Sequence, residues 1–189
     1  MKKLFIKIFS FITLTSFLVT PIVRGEKTPS YLSKEFNILN KVSDNKRNVM
    51  ISPFSIKSAF MLAANGTKDD TQKEILESFG VNNIEKSNSH FKDMITSYNQ
   101  GNIVKVLNSV WLNRGWNTKS KFNENYTNKI GSYFNAQAKE VNSLNAVREI
   151  NNWVKNGTKG KINKIIDNSN FLAILVNAVY FKGDWEKPF

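Results

Sequence analysis

The chain has 189 residues, a net charge of +12 at neutral pH, one histidine and no cysteine. Those counts exclude disulfides and Cys-His chemistry, deny a Ser-His-Asp triad any choice of base beyond His90, and leave a structural zinc site without its ligands. The charge is basic without being extreme, and its Lys and Asn bias runs along the whole chain, as genome base composition produces, so no nucleic-acid partner is expected.

The N-terminus has the layout of a secretory signal over residues 1–25. Met1-Lys2-Lys3 is basic, Ile8 to Val19 is apolar, and Val23-Arg24-Gly25 offers a small-residue cleavage site. A membrane anchor is the alternative, but the run falls short of ~20 apolar residues and is broken up by Lys7, Ser10, Thr13 and Pro21. The expectation is therefore a secreted, extracellular protein with no membrane association after cleavage. Cleavage removes Lys2, Lys3, Lys7 and Arg24 and no acid, which lowers the net charge by four and leaves residues 26–189 as one domain.

In chain order, Ser30 to about Val42 fits an amphipathic helix, and Val49-Met50-Ile51 a very short strand. Ser52-Pro53 opens a helix well, with Ser as N-cap and Pro where its missing N–H costs nothing. That helix, Pro53 to Ala64, is apolar nearly all round, as a buried helix is. Thr71 to Glu74 has the capping-box pattern for a short helix carrying Ile75, Leu76 and Phe79 and stopped by Gly80. Residues 86–99 give another helix, and Ile103 to Leu112 a long strand. A helix from about Ser120 through Phe134, a strand over Ala136–Val141 and a helix from about Asn145 to Lys155 follow. Ile162 to Asp167 adds at most a turn.

The last element, Phe171 to Phe181, is apolar at both strand parities, so it should be buried on both faces. Its one polar residue, Asn177, must find hydrogen-bond partners. Such a strand also needs neighbours along both edges, and one edge, facing Ile103–Leu112, has an evident partner. The other is expected to lack one in this chain, which makes strand pairing with another molecule, or aggregation, the expected behaviour of the isolated polypeptide.

Two stretches carry a resemblance. Asn48-Val-Met-Ile-Ser-Pro-Phe-Ser-Ile56, followed by Gly66-Thr67-Lys68, resembles the second helix of serpins with the short strand before it. Asn177-Ala-Val-Tyr-Phe-Lys-Gly-Asp-Trp185-Glu-Lys-Pro-Phe189 resembles the segment that leaves the large central sheet of that family. Leu107-Asn-Ser-Val-Trp-Leu112, Trp153-Val154 and Thr158-Lys-Gly-Lys-Ile162 fall between them in family order. The resemblance implies an α+β, serpin-like fold, with helices packed around a large central sheet. This chain would be its N-terminal portion: several helices, about three sheet strands, and no C-terminal half.

It also implies suicide inhibition of serine or cysteine endopeptidases as the parent activity, by insertion of a cleaved reactive loop into the central sheet, with no enzyme activity, metal or cofactor. The reactive bond lies outside the chain, so the isolated polypeptide is expected to be inactive as an inhibitor. Ser52, Ser55 and Asn177 match the family region called the shutter, where the strands part, and Trp185 matches the breach, where the loop first enters. Residue chemistry alone reads Ser52 as an N-cap and Asn177 as a satisfied core amide. Alternatives are a non-inhibitory serpin (carrier, chaperone or storage protein) or a polyanion-binding protein using Lys155, Lys159, Lys161 and Lys164 or Lys86, His90 and Lys92. Asn65, Asn125 and Asn156 head glycosylation sequons, and His90 and the Asp69-Asp70 pair read as surface and helix-start residues.

Overall fold

The computed structural model describes residues 7–13, 39–41, 43, 48–49, 51–101, 103–116 and 119–183. Five helices are assigned in full among them: α1 (Pro53–Gly66), α2 (Asp69–Ser78), α3 (Ile84–Gln100), α4 (Glu124–Phe134) and α5 (Ser143–Gly157). The strands are β1 (Lys7–Thr13), β2 (Val104–Asn113), β3 (Ala136–Val141) and β4 (Ala173–Phe181). They form one mixed sheet in the order β1-β4-β2-β3. The α+β expectation holds. Most of the helix expected over Ser30–Val42 lies outside the described residues, although Leu39–Lys41 are helical, and Val49 and Ile51 are not in a strand.

Polar caps set the helix starts. Ser52 caps α1 by accepting the Ser55 N–H at 3.1 Å, and Pro53 occupies the first turn. Asn83, Asn123 and Asn142 do the same for α3, α4 and α5. A carboxamide oxygen that takes an otherwise unpaired N–H of the first turn stabilises a helix by about 1 kcal/mol. The Thr71 capping box does not form. α2 starts earlier, at Asp69, with no side-chain cap from Lys68; the acid pair Asp69-Asp70 in its first turn complements the helix dipole instead.

The alternation of β4 divides the core in two. Ile174 and Val176 point to the α5 side, into a cluster with Trp111, Val141, Ile150, Val154, Ile166 and Phe171. Leu175 points the other way, towards Met61, Leu62, Phe91, Ile130 and Phe134 of the helices behind. The sheet is thus the middle layer, as the apolar run at both parities requires. β2 and β4 pair antiparallel from Val104–Phe181 to Leu112–Ala173, and β2 and β3 pair parallel. On the other edge of β4 the sequence led us to expect no partner. The backbone of β1 instead runs parallel to it, from Lys7 opposite Ile174 to Thr13 opposite Tyr180. An unpaired strand edge is a template for any chain of high strand propensity, and this N-terminal run is rich in Ile and Phe.

Two side chains tie loops to this frame. Asn151 of α5 accepts the N–H groups of Ile165 and Ile166 and donates to the Ile166 carbonyl at 2.9 Å, so the segment before β4 is ordered without helix or strand. Asn113, fully buried at the end of β2, donates to the Ser169 carbonyl at 2.9 Å. Its Oδ1 accepts from the Gly115 N–H at 3.0 Å and the Ser143 hydroxyl at 2.8 Å. One carboxamide therefore joins β2, the start of α5 and the approach to β4. A Cβ on Gly115 would fall 2.0 Å from the Ser143 Oγ, which is why glycine stands there.

Asn113→Ala removes three hydrogen bonds made by a buried carboxamide, and urea unfolding should show a loss of about 1–3 kcal/mol. An unchanged unfolding midpoint would show that the knot contributes nothing.

Candidate functional site

Within the layer between α1 and the sheet, an otherwise dry interface carries a seam of polar side chains. Asn108 of β2 and Asn177 of β4 lie directly opposite each other in the antiparallel register, and both are buried. Asn177 Nδ2 donates to Asn108 Oδ1 at 2.7 Å. The Ser58 hydroxyl of α1 donates to the same oxygen at 3.3 Å. Asn108 Nδ2 in turn donates to the Phe134 carbonyl at the end of α4, at 2.8 Å. One amide thus links two strands and two helices.

Ser55 lies one turn before Ser58, so both fall on the stripe of α1 that faces the sheet. It is buried, and its Oγ has no hydrogen-bond partner among the described residues; Asn177 Oδ1 is in the same condition. A buried polar atom without a partner costs about 1–3 kcal/mol. The seam is therefore the least well satisfied part of a tightly packed layer. It offers no chemistry of bond making. His90 is exposed on α3, and no group of three His, Asp or Glu residues able to hold a metal occurs among the described residues. What it can do is exchange hydrogen bonds at low cost if α1 and the strands shift against each other.

The sequence-derived residues divide as follows. Ser52 is the N-cap of α1, and no bond from it to the sheet is seen among the described residues. Ser55 and Asn177 line the two sides of the seam without bonding to each other. Trp185 lies outside the described residues. Asn108 and Ser58, which make most of the contacts, were not singled out from the sequence. Asn108 is, like Asn177, an amide on a strand, but its strand also holds Lys105, Ser109 and Asn113, and Ser58 follows from Ser55 by helical spacing.

A second amide pair sits nearby. Asn65 Nδ2 donates to Asn88 Oδ1 and Asn88 Nδ2 to Asn65 Oδ1, both at 2.9 Å, with Asn65 also reaching the Met61 carbonyl. The amide nitrogen of that sequon is fully engaged, whereas Asn125 and Asn156 are exposed. Behind α1, the Tyr126 hydroxyl donates to the Leu62 carbonyl at 3.2 Å, and burial holds its phenol protonated well above the ordinary tyrosine range. Within the basic run, Lys164 pairs with Asp167, and Lys159 lies over the Tyr180 ring.

Comparison with known proteins places this arrangement in a family. The model of the serpin (serine protease inhibitor) family matches residues 34–189. The chain is 28% identical to human neuroserpin, covering 98% of this chain and 47% of that protein. It is 31% identical to the leukocyte elastase inhibitor of Xenopus tropicalis, covering 82% and 44%. Its backbone superposes on human thyroxine-binding globulin with a TM-score of 0.73 at 25% identity, over 84% of this chain and 45% of that one. The chain thus spans about half the length of the relatives it matches.

The bond counts order two substitutions. Asn108→Ala removes three hydrogen bonds and leaves the Phe134 carbonyl and Ser58 hydroxyl buried and unpaired. Asn177→Ala removes one bond and deletes an unpaired oxygen. Equilibrium urea unfolding should give a loss of about 2–4 kcal/mol for the first and about 1–2 kcal/mol for the second. The reverse order would mean that Asn177 anchors the seam.

Proposed function

The chain belongs to the serpin family, and on that premise we propose that it is part of a secreted inhibitor that traps serine or cysteine endopeptidases by inserting its cleaved reactive loop beside β4. The observation that carries this reading is the polar seam beneath a strand buried on both faces. A sheet that only had to be stable would be better served by apolar residues at 108 and 177, since buried amides contribute little net stability when paired and cost stability when not. A sheet that must part and accept a strand needs an interface whose bonds can be exchanged, and Ser55, Ser58, Asn108 and Asn177 supply one. Asn177 is the residue on the inserting side, while Ser52 fixes the start of the helix that the strands slide over. Trp185 is assigned to the entry end of the slot.

The protease's own nucleophile performs the covalent step in this scheme, and the inhibitor contributes no catalytic group. Strand addition then supplies main-chain hydrogen bonds along the full length of β4. β1 illustrates that geometry, since seven consecutive residues of this chain register against β4. Residues 1–25 would direct export, which removes β1 from the mature protein and vacates the edge. By this reading the segment bearing the bait residue belongs to the half of the family fold that these 189 residues do not match, so the chain alone is inactive and prone to pairing with other strands. A carrier function is the second reading, favoured by the likeness to thyroxine-binding globulin, whose structure holds thyroxine.

Incubated alone with trypsin-like and subtilisin-like proteases, the chain should yield no SDS-stable complex. Joined after Phe189 to the complementary half of leukocyte elastase inhibitor, it should yield a 1:1 SDS-stable complex with an elastase. A folded, monomeric chimaera that is cleaved as a plain substrate would overturn the inhibitory reading and favour the carrier.

A further inference from the structure

β3 is shorter than β2, and its pairing begins only at Asn108 opposite Ala136. The preceding part of β2 therefore borders a cleft of about 700 Å³, walled by the ends of α3 and α5 and by Tyr180 of β4. No Asp or Glu lines it. In place of a neighbouring strand, the Val106 N–H donates to Asn99 Oδ1 at 3.0 Å. Across the cleft the Trp153 indole N–H donates to Gln137 Oε1 at 3.0 Å. Both carboxamide oxygens are thereby committed, which fixes the amide orientation and leaves the two NH2 groups as donors without partners among the described residues.

Two ammonium groups join them. Lys105 is directly opposite Tyr180 in the antiparallel register and so shares its face of the sheet. Lys159 Nζ lies 5.4 Å from the centre of the same ring. Neither lysine has an ion-pair partner among the described residues. Lys159 is placed at an energetic cost. It follows α5 and its C-cap Thr158 in the left-handed region, with φ 51°, while the Gly160 N–H closes back on the Lys155 carbonyl at 2.7 Å. Glycine is the usual residue at such a position, because a side chain there is strained. The Val154, Lys155 and Asn156 carbonyls at the end of α5 are already taken by the N–H groups of Thr158, Gly160 and Lys159, so these carbonyls do not themselves need the cations.

We propose that this cleft is a binding site for a small organic oxyanion with a flat apolar body. The carboxylate or sulfate would lie between Lys105 and Lys159, within reach of the Asn99 and Gln137 amides, and the body against Trp153. The site meets the polar seam only at Asn108, which borders both, and it does not depend on the inhibitory reading.

Isothermal titration calorimetry of the full chain, kept dilute and checked for native helix content by circular dichroism, tests this with 2-naphthoate, 2-naphthyl sulfate and the neutral 2-naphthalenemethanol. One saturable site for at least one anion is expected, with the neutral alcohol much weaker; which anion binds more tightly identifies the head group. Lys105→Gln and Lys159→Asn, the latter chosen because Asn tolerates positive φ, should each weaken binding about tenfold, the scale of one charge-assisted hydrogen bond. Lys155→Gln, on the same helix end but outside the cleft, should leave it unchanged. Equal binding of the alcohol, an equal loss in Lys155→Gln, or no saturable binding by the folded chain would each overturn the site.

Discussion

Burial of β4 on both faces is the constraint on which the rest of the molecule depends. A strand with two dry faces forces a three-layer arrangement, with α5 and the segment after it on one side and α1, α3 and α4 on the other. It also sets the price of any polar group placed within it. Asn177 is tolerated only because Asn108 stands directly opposite, accepts its N–H, and hands its own amide hydrogen on to the end of α4. The two-faced strand makes the core, and the amide pair is the polar joint within it.

That combination gives the family membership a physical meaning. A purely apolar contact between α1 and the sheet would resist shear, because close-packed side chains interlock. A short row of hydroxyls and amides can change partners as layers move, and Ser55 and Asn177 already hold bonding capacity that the described residues do not use. Insertion of a strand beside β4 is the movement such a seam suits. The lysine-lined cleft lies at the edge of β2, where β3 stops short. It follows from a different local fact, the length of one strand.

Much of this was legible in the sequence, and the gaps have identifiable causes. The apolar run at both parities announced the central strand, and Ser52-Pro53 placed the start of α1 to the residue. Helix starts at Asn83 and Asn142 were read late because apolar periodicity begins only inside the first turn, whereas the cap precedes it; the start at Asn123 was instead read early, from Ser120. The Thr71–Glu74 pattern misled for the converse reason: its residues fit a capping box, but the chain was already helical from Asp69. Asn177 was found as a lone amide, yet Asn108 was passed over because neighbouring Ser109 and Asn113 made its strand look less dry. Register, which brings positions 108 and 177 together, is not carried by either strand's local pattern. The occupation of the β4 edge by Lys7–Thr13 was missed because the same residues read equally well as the core of an export signal.

The account rests on Asn108 and Asn177 acting as one unit that clasps strands and helix, and a double-mutant cycle measures this most directly. Unfolding free energies of the parent chain, Asn108→Ala, Asn177→Ala and the double variant should reveal a coupling of about 1 kcal/mol or more, as residues sharing a buried bond show. Additivity within about 0.3 kcal/mol would contradict it, for the two amides would then be independent core residues and the seam no more than a coincidence of packing.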